Sequence, residues 1–370
     1  MRKKLLVAVL VLIGVGIFAS IVASAQWHEI LAVLNQITFW EVIGFLALAQ
    51  ISYGLFNLRW QIILKTHGHQ VPYRKLWLYR ALGYGVSYIT PTQVGGEPVR
   101  IYLLNENHGI SLRESTASVL MDKLIELTSF VAFIASGVLV VSFTNLLPQS
   151  SLVPIAALVG SVLLLSAYVY KKLLDGTGFL TSCFKALNLH RFERLRPLEG
   201  KIFRTEKLIM DFLAHDDHKK TTLPLLAVIS LAAWATSIIE YYVIASFLGV
   251  ELTLYQSFLI GTVPLMAYLI PVPAGLGMLE GAQTGMFALF GLGPSVALAV
   301  VLMVRVKELL FSGIGFGYAV THGLSILGKK KPEPGLTQKA IQKTRSIKQQ
   351  RQEKKASQTR SGSQRFSPVQ

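Results

Sequence analysis

Charge is scarce in this chain and cysteine scarcer still. Only 15% of its 370 residues are Asp, Glu, Lys or Arg, against about a quarter in soluble domains. Cys183 stands alone, which excludes an intramolecular disulfide, a thiolate metal cluster and a paired-cysteine redox centre. His67 with His69, and His215 with His218, lie in polar stretches beside basic residues and read as solvated loops rather than ligand sets. No metal site and no cofactor is therefore expected. Nothing resembles a nucleotide-binding loop, so ATP drive is not expected either. A last deficit is local: from Thr221 to Val304 there is no Lys or Arg.

What fills the chain instead is apolar: 52% of residues are hydrophobic and the mean hydropathy is +0.49. Apolar runs of about 20 residues recur, each long enough to cross a hydrocarbon core of roughly 30 Å as a helix. The expected fold is an all-α polytopic membrane protein with about six full spans: one from Leu5 to Val22, then 39–64, 115–143, 151–170, 223–248 and 295–325. The first follows Met1-Arg2-Lys3-Lys4 and exceeds the usual signal-peptide core of about 7–15 residues, so it reads as a retained span.

The formal charge of +16 resembles that of a nucleic-acid binder until it is located. Residues 329–370 hold 12 basic and 2 acidic side chains, leaving +6 for residues 1–328. That division gives a membrane domain, 1–328, and a basic tail expected to be disordered. Segments 26–38, 144–150 and 221–304 lack Lys and Arg and should face outside. The region 59–113, with Arg59, Lys65, Arg74, Lys75, Arg80, Arg100 and Arg113, the segment 171–220 with eleven basic residues, and the tail should face the cytoplasm, as should both termini.

Two apolar stretches, 76–104 and 256–291, enter and leave by one face on this topology and read as re-entrant hairpins of two half-helices. Their presumed tips are Pro91 to Pro98, containing Gly95 and Gly96, and Pro271-Val272-Pro273-Ala274-Gly275-Leu276-Gly277. Pro removes a backbone donor and Gly tolerates positive φ, so helices break there. A shift of 182 residues superposes Pro91 on Pro273, Gly95 on Gly277, Gly109 on Gly291, Val119-Leu120-Met121 on Val301-Leu302-Met303, Lys123 on Arg305 and Glu126 on Glu308. The units, about 76–143 and 256–325, start on opposite faces and so form an inverted repeat. Such repeats, meeting at broken helices, are the pattern of transporters.

Several charges fall at membrane depth, where an Arg costs roughly 2.5–3.5 kcal/mol on insertion scales. Arg305 and Glu308 lie one turn apart on the last span, and Asp122, Lys123 and Glu126 form a like group on the matching span. Glu97, Arg100 and Glu280 flank the hairpin tips, and Glu240 lies inside the fifth span. Glu97 and Glu280 read equally well as caps of the second half-helices, Glu240 as a hydrogen-bonded carboxyl in a helix interface, and Lys307 as a snorkelling side chain. Arg305, Lys123 and Arg100, with the half-helix N-termini, suit an anionic phosphate. The substrate site is therefore expected at Arg305, Lys123, Arg100, Glu308, Asp122, Glu126, Glu97 and Glu280, with no catalytic residue assigned.

Arg59-Trp60, the segment Pro91-Thr92-Gln93-Val94-Gly95-Gly96-Glu97-Pro98-Val99-Arg100, the Asp122-Lys123 pair and Pro271 to Glu280 together carry a resemblance. Over residues 5–325 the chain resembles the flippase-like transmembrane domain of lysylphosphatidylglycerol synthases, also found in an archaeal dolichol-pathway glycosyltransferase and in stand-alone bacterial membrane proteins. The resemblance implies movement of a phospholipid or polyprenyl-phosphate lipid between leaflets, and the expected location is the cell inner (plasma) membrane. The synthases' soluble aminoacyl-transferase domain has no counterpart here, since the longest polar stretch before the tail is about 50 residues. The alternatives are a head-group transferase with Glu97, Glu280 or Glu240 as base, and a scaffold for a partner lipid-modifying enzyme. The loop 171–221, with Leu195, Leu198, Ile202, Leu208, Ile209 and Phe212 on one helix side, and the tail are expected to contact anionic inner-leaflet lipids. No specific nucleic acid is expected.

Overall fold

The computed structural model describes residues 27–90, 95–144, 149–188, 196–214, 221–269, 272 and 275–323. All regular structure among them is helical: α1 Trp27–Leu34, α2 Phe39–Thr66, α3 Tyr73–Ile89, α4 Gly96–His108, α5 Leu112–Ser142, α6 Gln149–Leu174, α7 Phe179–Ala186, α8 Arg196–Ala214, α9 Leu223–Phe247, α10 Leu254–Thr262, α11 Met278–Leu289 and α12 Pro294–Tyr318. A 3₁₀ segment, Val263–Leu269, continues α10. The chain divides after Tyr318; of the second unit only the π-helical turn Ala319–Gly323 is described.

Local sequence sets several helix starts. Thr38 with Glu41, Ser111 with Glu114, and Thr253 with Gln256 close reciprocal capping boxes ahead of α2, α5 and α10, satisfying first-turn N–H groups that would otherwise lack partners. Four helices are long and apolar enough to cross a membrane: Phe39–Thr66, Leu112–Ser142, Val153–Leu174 and Leu223–Phe247. They match four of the expected spans; the expected last span, 295–325, corresponds to α12, which ends at Tyr318 and carries Arg305, Lys307 and Glu308 in its middle. The expected first span lies outside the described residues. Leu164, Val228, Leu231 and Leu309 are exposed along these helices, with Phe39, Trp40 and Phe143 exposed at helix ends. An apolar belt with aromatic ends is the outer surface a bilayer selects.

The hairpin arms differ from the half-helices expected. At about 1.5 Å per residue, the 17 residues of α3 reach about 25 Å and the 13 of α4 about 20 Å. The tips Pro91, Pro271 and Pro273 lie outside the described residues.

Three of the long-range crossings bear on the site. Helix α2 lies against α9: Ser52 Oγ donates to the Ala233 carbonyl at 3.1 Å and meets Ser237 Oγ at 3.4 Å, while Arg59 Nη1 donates to Ser230 Oγ at 3.1 Å. Rising numbers on one helix meet falling numbers on the other, so the two are antiparallel. Helix α3 packs on α12 so closely that a Cβ on Gly315 would fall within the backbone of Ala81. Helix α10 packs on α5 with Gly137 against Thr262.

Helix α8 corrects part of the expected membrane-surface loop. Ile209 and Phe212 are buried with Ile63, Met121 and Leu173 in a core shared with α2, α5 and α6, rather than turned to lipid. Leu198 is exposed and Leu195 lies outside the described residues. Glu206, only 2% exposed, turns to α7 and accepts hydrogen bonds from the N–H groups of Leu180 at 2.6 Å and Thr181 at 2.9 Å.

Candidate functional site

The eight expected site residues fall into two buried clusters rather than one. The first assembles from four helices: α2 brings Arg59, α3 Arg80, α4 Glu97 and Arg100, and α5 Asp122, Lys123 and Glu126. Asp122 is its centre. Asp122 Oδ1 accepts from Arg59 Nε at 2.9 Å, and Oδ2 accepts from Arg80 Nη2 and from Arg100 Nη2, both at 2.7 Å. Glu126 accepts from Arg59 Nη2 at 3.2 Å and Lys123 Nζ at 2.8 Å, and Lys123 lies 3.4 Å from Glu97. The Arg100 guanidinium stacks 3.9 Å from the centroid of the fully buried Trp60, a face-on geometry that suits Arg and not Lys.

Four cations meet three carboxylates here, so the cluster carries one net positive charge. Arg80 Nε and Arg100 Nε are buried without a hydrogen-bond partner, as is Glu97 Oε2. Buried donors of this kind are rare in native proteins and mark a place where a ligand or water belongs. The Lys123 side chain, 37% exposed, forms the rim.

The second cluster reverses the polarity. Its centre is a cation, Arg305 on α12, whose Nε and Nη2 both donate to Glu280 Oε1 of α11, at 2.9 and 2.6 Å. Arg305 Nη1 donates to Glu308 Oε2 at 2.8 Å and to the Tyr88 hydroxyl of α3 at 3.2 Å. Tyr268, on the 3₁₀ segment, donates to the other Glu308 oxygen at 3.2 Å. Beside it Lys307 pairs with Glu240 of α9, and Gln283 Nε2 donates to the Tyr241 hydroxyl. Two cations face three carboxylates, and the net charge is negative by one.

Several expectations change. Arg59, Arg80 and Arg100, counted as cytoplasmic loop charges, are all buried; only Lys65, Arg74, Lys75 and Arg113 of that region remain to mark a face. Arg305 is held by two carboxylates, because Glu280, 25 residues away, packs against it. Lys307 does not snorkel but is partnered, which turns the lone carboxyl expected at Glu240 into half of an ion pair. Glu97 and Glu280 do stand in the first turns of α4 and α11, yet their carboxylates reach Lys123 and Arg305. At the first tip the N–H groups of Gly95 and Gly96 are taken by Thr90 Oγ1 and Ser87 Oγ, at 3.1 and 3.0 Å, and are not offered to a phosphate. Gly275 and Gly277 turn with φ of 63° and 76° ahead of α11, in the left-handed region that glycine tolerates.

Sequence reasoning left Arg80, Tyr88, Tyr268 and Gln283 out of the site, used Trp60 only for the resemblance, and used Arg59 for the resemblance and as a topology marker. A signal for Arg80 was present. It lies in the apolar run Leu76 to Ile89, where a lone Arg demands a partner.

The comparisons with known proteins agree with this architecture. The family model described as the lysylphosphatidylglycerol synthase TM region matches residues 5–315. Among curated relatives, a UPF0104 membrane protein of Methanothermobacter thermautotrophicus is 27% identical, covering 87% of this chain and 97% of that protein. A second UPF0104 membrane protein of the same organism is 28% identical over 69% of this chain and 75% of its own length. One from Pyrococcus horikoshii is 22% identical over 69% and 78%. The chain belongs to the lysylphosphatidylglycerol synthase TM region family and is a multi-pass membrane protein.

Proposed function

We propose that this member of the lysylphosphatidylglycerol synthase TM region family moves a phosphate-bearing phospholipid or polyprenyl-phosphate lipid between leaflets. The observation that carries the reading is the first cluster: one net positive charge with two buried, unpartnered guanidinium N–H groups, and the partly exposed Lys123 at its edge. One phosphate negative charge neutralises it, and phosphate oxygens match the Arg80 and Arg100 donors. The chains of the lipid remain in the bilayer while the head group enters.

Support for alternating access comes from the repeat. Adding 182 carries α2 to 221–248, α3 to 255–271, α4 to 278–290 and α5 to 294–324, ranges that nearly reproduce α9, α10 with its 3₁₀ extension, α11 and α12. On this reading the repeat reaches back to Phe39, beyond the unit read from sequence. Ser52 maps onto position 234 and bonds to Ala233, as a residue beside a two-fold axis does. The α3–α12 and α10–α5 crossings exchange under the same shift. An inverted pair of units rocking about this axis exposes the clusters to one leaflet and then the other. We place both termini in the cytoplasm, following the Lys and Arg distribution, and the protein in the plasma membrane.

Head-group transfer is less well supported: Glu97 and Glu240 are ion-paired with Lys123 and Lys307, and Glu280, only 1% exposed, is held against Arg305. The test is reconstitution in liposomes with head-group-labelled phospholipids and a membrane-impermeant quencher. Wild type is expected to move label well above protein-free vesicles, and Arg100→Gln to lose at least tenfold. A wild-type rate no higher than empty vesicles overturns the proposal.

A further inference from the structure

The second cluster is short of one positive charge, and it also holds two buried oxygens with nothing to accept from. Glu280, 1% exposed, receives both of its Arg305 bonds on Oε1, and Oε2 has no partner. One turn along α11, Gln283, also 1% exposed, commits Nε2 to Tyr241 and leaves Oε1 without one. Residues at i and i+3 face the same way on a helix. A hard metal cation asks for about six or more oxygens, whereas a proton is satisfied by two.

We propose that Glu280 is a proton-binding group, with the proton on Oε2 donated to Gln283 Oε1. One proton then satisfies both oxygens and brings the cluster to neutrality. Turning the Gln283 amide over joins the two residues through Nε2 instead, but leaves the net negative charge in place at membrane depth, where such a charge is costly. Arg305 of α12 contacts Glu280 directly; the other titratable and charged groups of the same cluster are Glu308 and Lys307 of α12, Glu240 and Tyr241 of α9, Tyr268 of the 3₁₀ segment, and Tyr88 of α3 with Tyr84 against it.

What the proton is for rests on the translocator reading. With Glu280 ionised, both of its oxygens compete for Arg305 and clamp α11 to α12; a proton, taken from water on either side, leaves one oxygen for Arg305. Arg305 also holds Tyr88, and Tyr88, Tyr84 and Arg80 recur every four residues along α3. They span about 12 Å of one helix face, a rigid link from the proton site to the phosphate site. Proton binding at Glu280 is thereby coupled to lipid movement.

Infrared difference spectroscopy of the full-length protein at neutral pH reads the proton without reference to transport. A protonated-carboxyl C=O band is expected in wild type and not in Glu280→Gln; in Gln283→Met, which keeps the carboxyl and removes its acceptor, the band should move to higher frequency. No band lost in Glu280→Gln, or one unmoved by Gln283→Met, overturns the proton site. In proteoliposomes a pH gradient should change the rate of label movement at least threefold in wild type and not in Glu280→Gln. Movement indifferent to the gradient in wild type overturns the coupling while the translocator reading stands. A band that behaves as expected with no label movement supports the proton site and overturns the translocator reading.

Discussion

The two clusters occupy matching helices and solve the same problem with opposite signs. Around Asp122 three guanidiniums converge on one carboxylate; around Arg305 two carboxylates converge on one guanidinium. Lys123 and Arg305 are equivalent under the 182-residue shift, yet the first is a half-exposed rim residue and the second a buried hub. The difference lies in their neighbours. Position 122 is Asp where its counterpart is Val304, and Arg100 matches Ala282. In the proposed repeat, helix positions are kept while the sign of the central ion changes, and this difference underlies the anion site and the proton site proposed above.

The largest effects should come from removing a centre. Asp122→Ala leaves Arg59, Arg80 and Arg100 facing one another in the interior, a loss of about 3–5 kcal/mol for an unpaired buried charge. A steep drop in melting temperature in detergent, or failure to fold, is expected. Arg305→Gln should cost less than Asp122→Ala, because with the proton proposed on Glu280 only Glu308 loses a charged partner and Tyr268 still donates to it, whereas three guanidiniums stay charged. Equal losses would break the contrast drawn between the halves.

Next in size is the packing that joins them. Gly315→Ala drives a methyl into the Ala81 backbone and should cost about 1–3 kcal/mol by overpacking, with lipid movement slowed in proportion. Gly313→Ala, with nothing within 4 Å of the added carbon, serves as control and should be neutral or stabilising by about 0.5–1 kcal/mol, as helix propensity dictates. Similar melting curves for the two variants would remove close approach as the reason for glycine at 315.

The smallest change in stability belongs to the rim. Lys123→Gln should lower stability by less than about 1 kcal/mol, the range of partly exposed ion pairs, yet raise the apparent KM for labelled phospholipid about tenfold. A variant that binds and moves lipid as wild type does would take Lys123 out of the anion site.

Legibility differed between fold and site. Spans at 39–64 and 223–248 coincide closely with α2 and α9, since apolar length and turn residues are local properties. Asp122, Glu126, Arg305 and Glu308 stood out because charge in an apolar run is conspicuous. Arg59 did not, because it lies near a polar stretch and resembles a topology marker, and the signal at Arg80, a lone charge among apolar residues, was overridden by the same reading; the folded chain shows both buried. Tyr88, Tyr268 and Gln283 carry no signature that sets them apart from packing residues.

The sequence by itself determined that this chain is a set of apolar helices, several with locally capped starts. In hydrocarbon each backbone N–H and C=O must be satisfied within its own segment, so local sequence suffices. Which ion meets which was decided by tertiary structure. Arg59 finds Asp122 across 63 residues, and Tyr88 finds Arg305 across 217. Such pairing follows from helices crossing in three dimensions, and no periodicity along the chain encodes it.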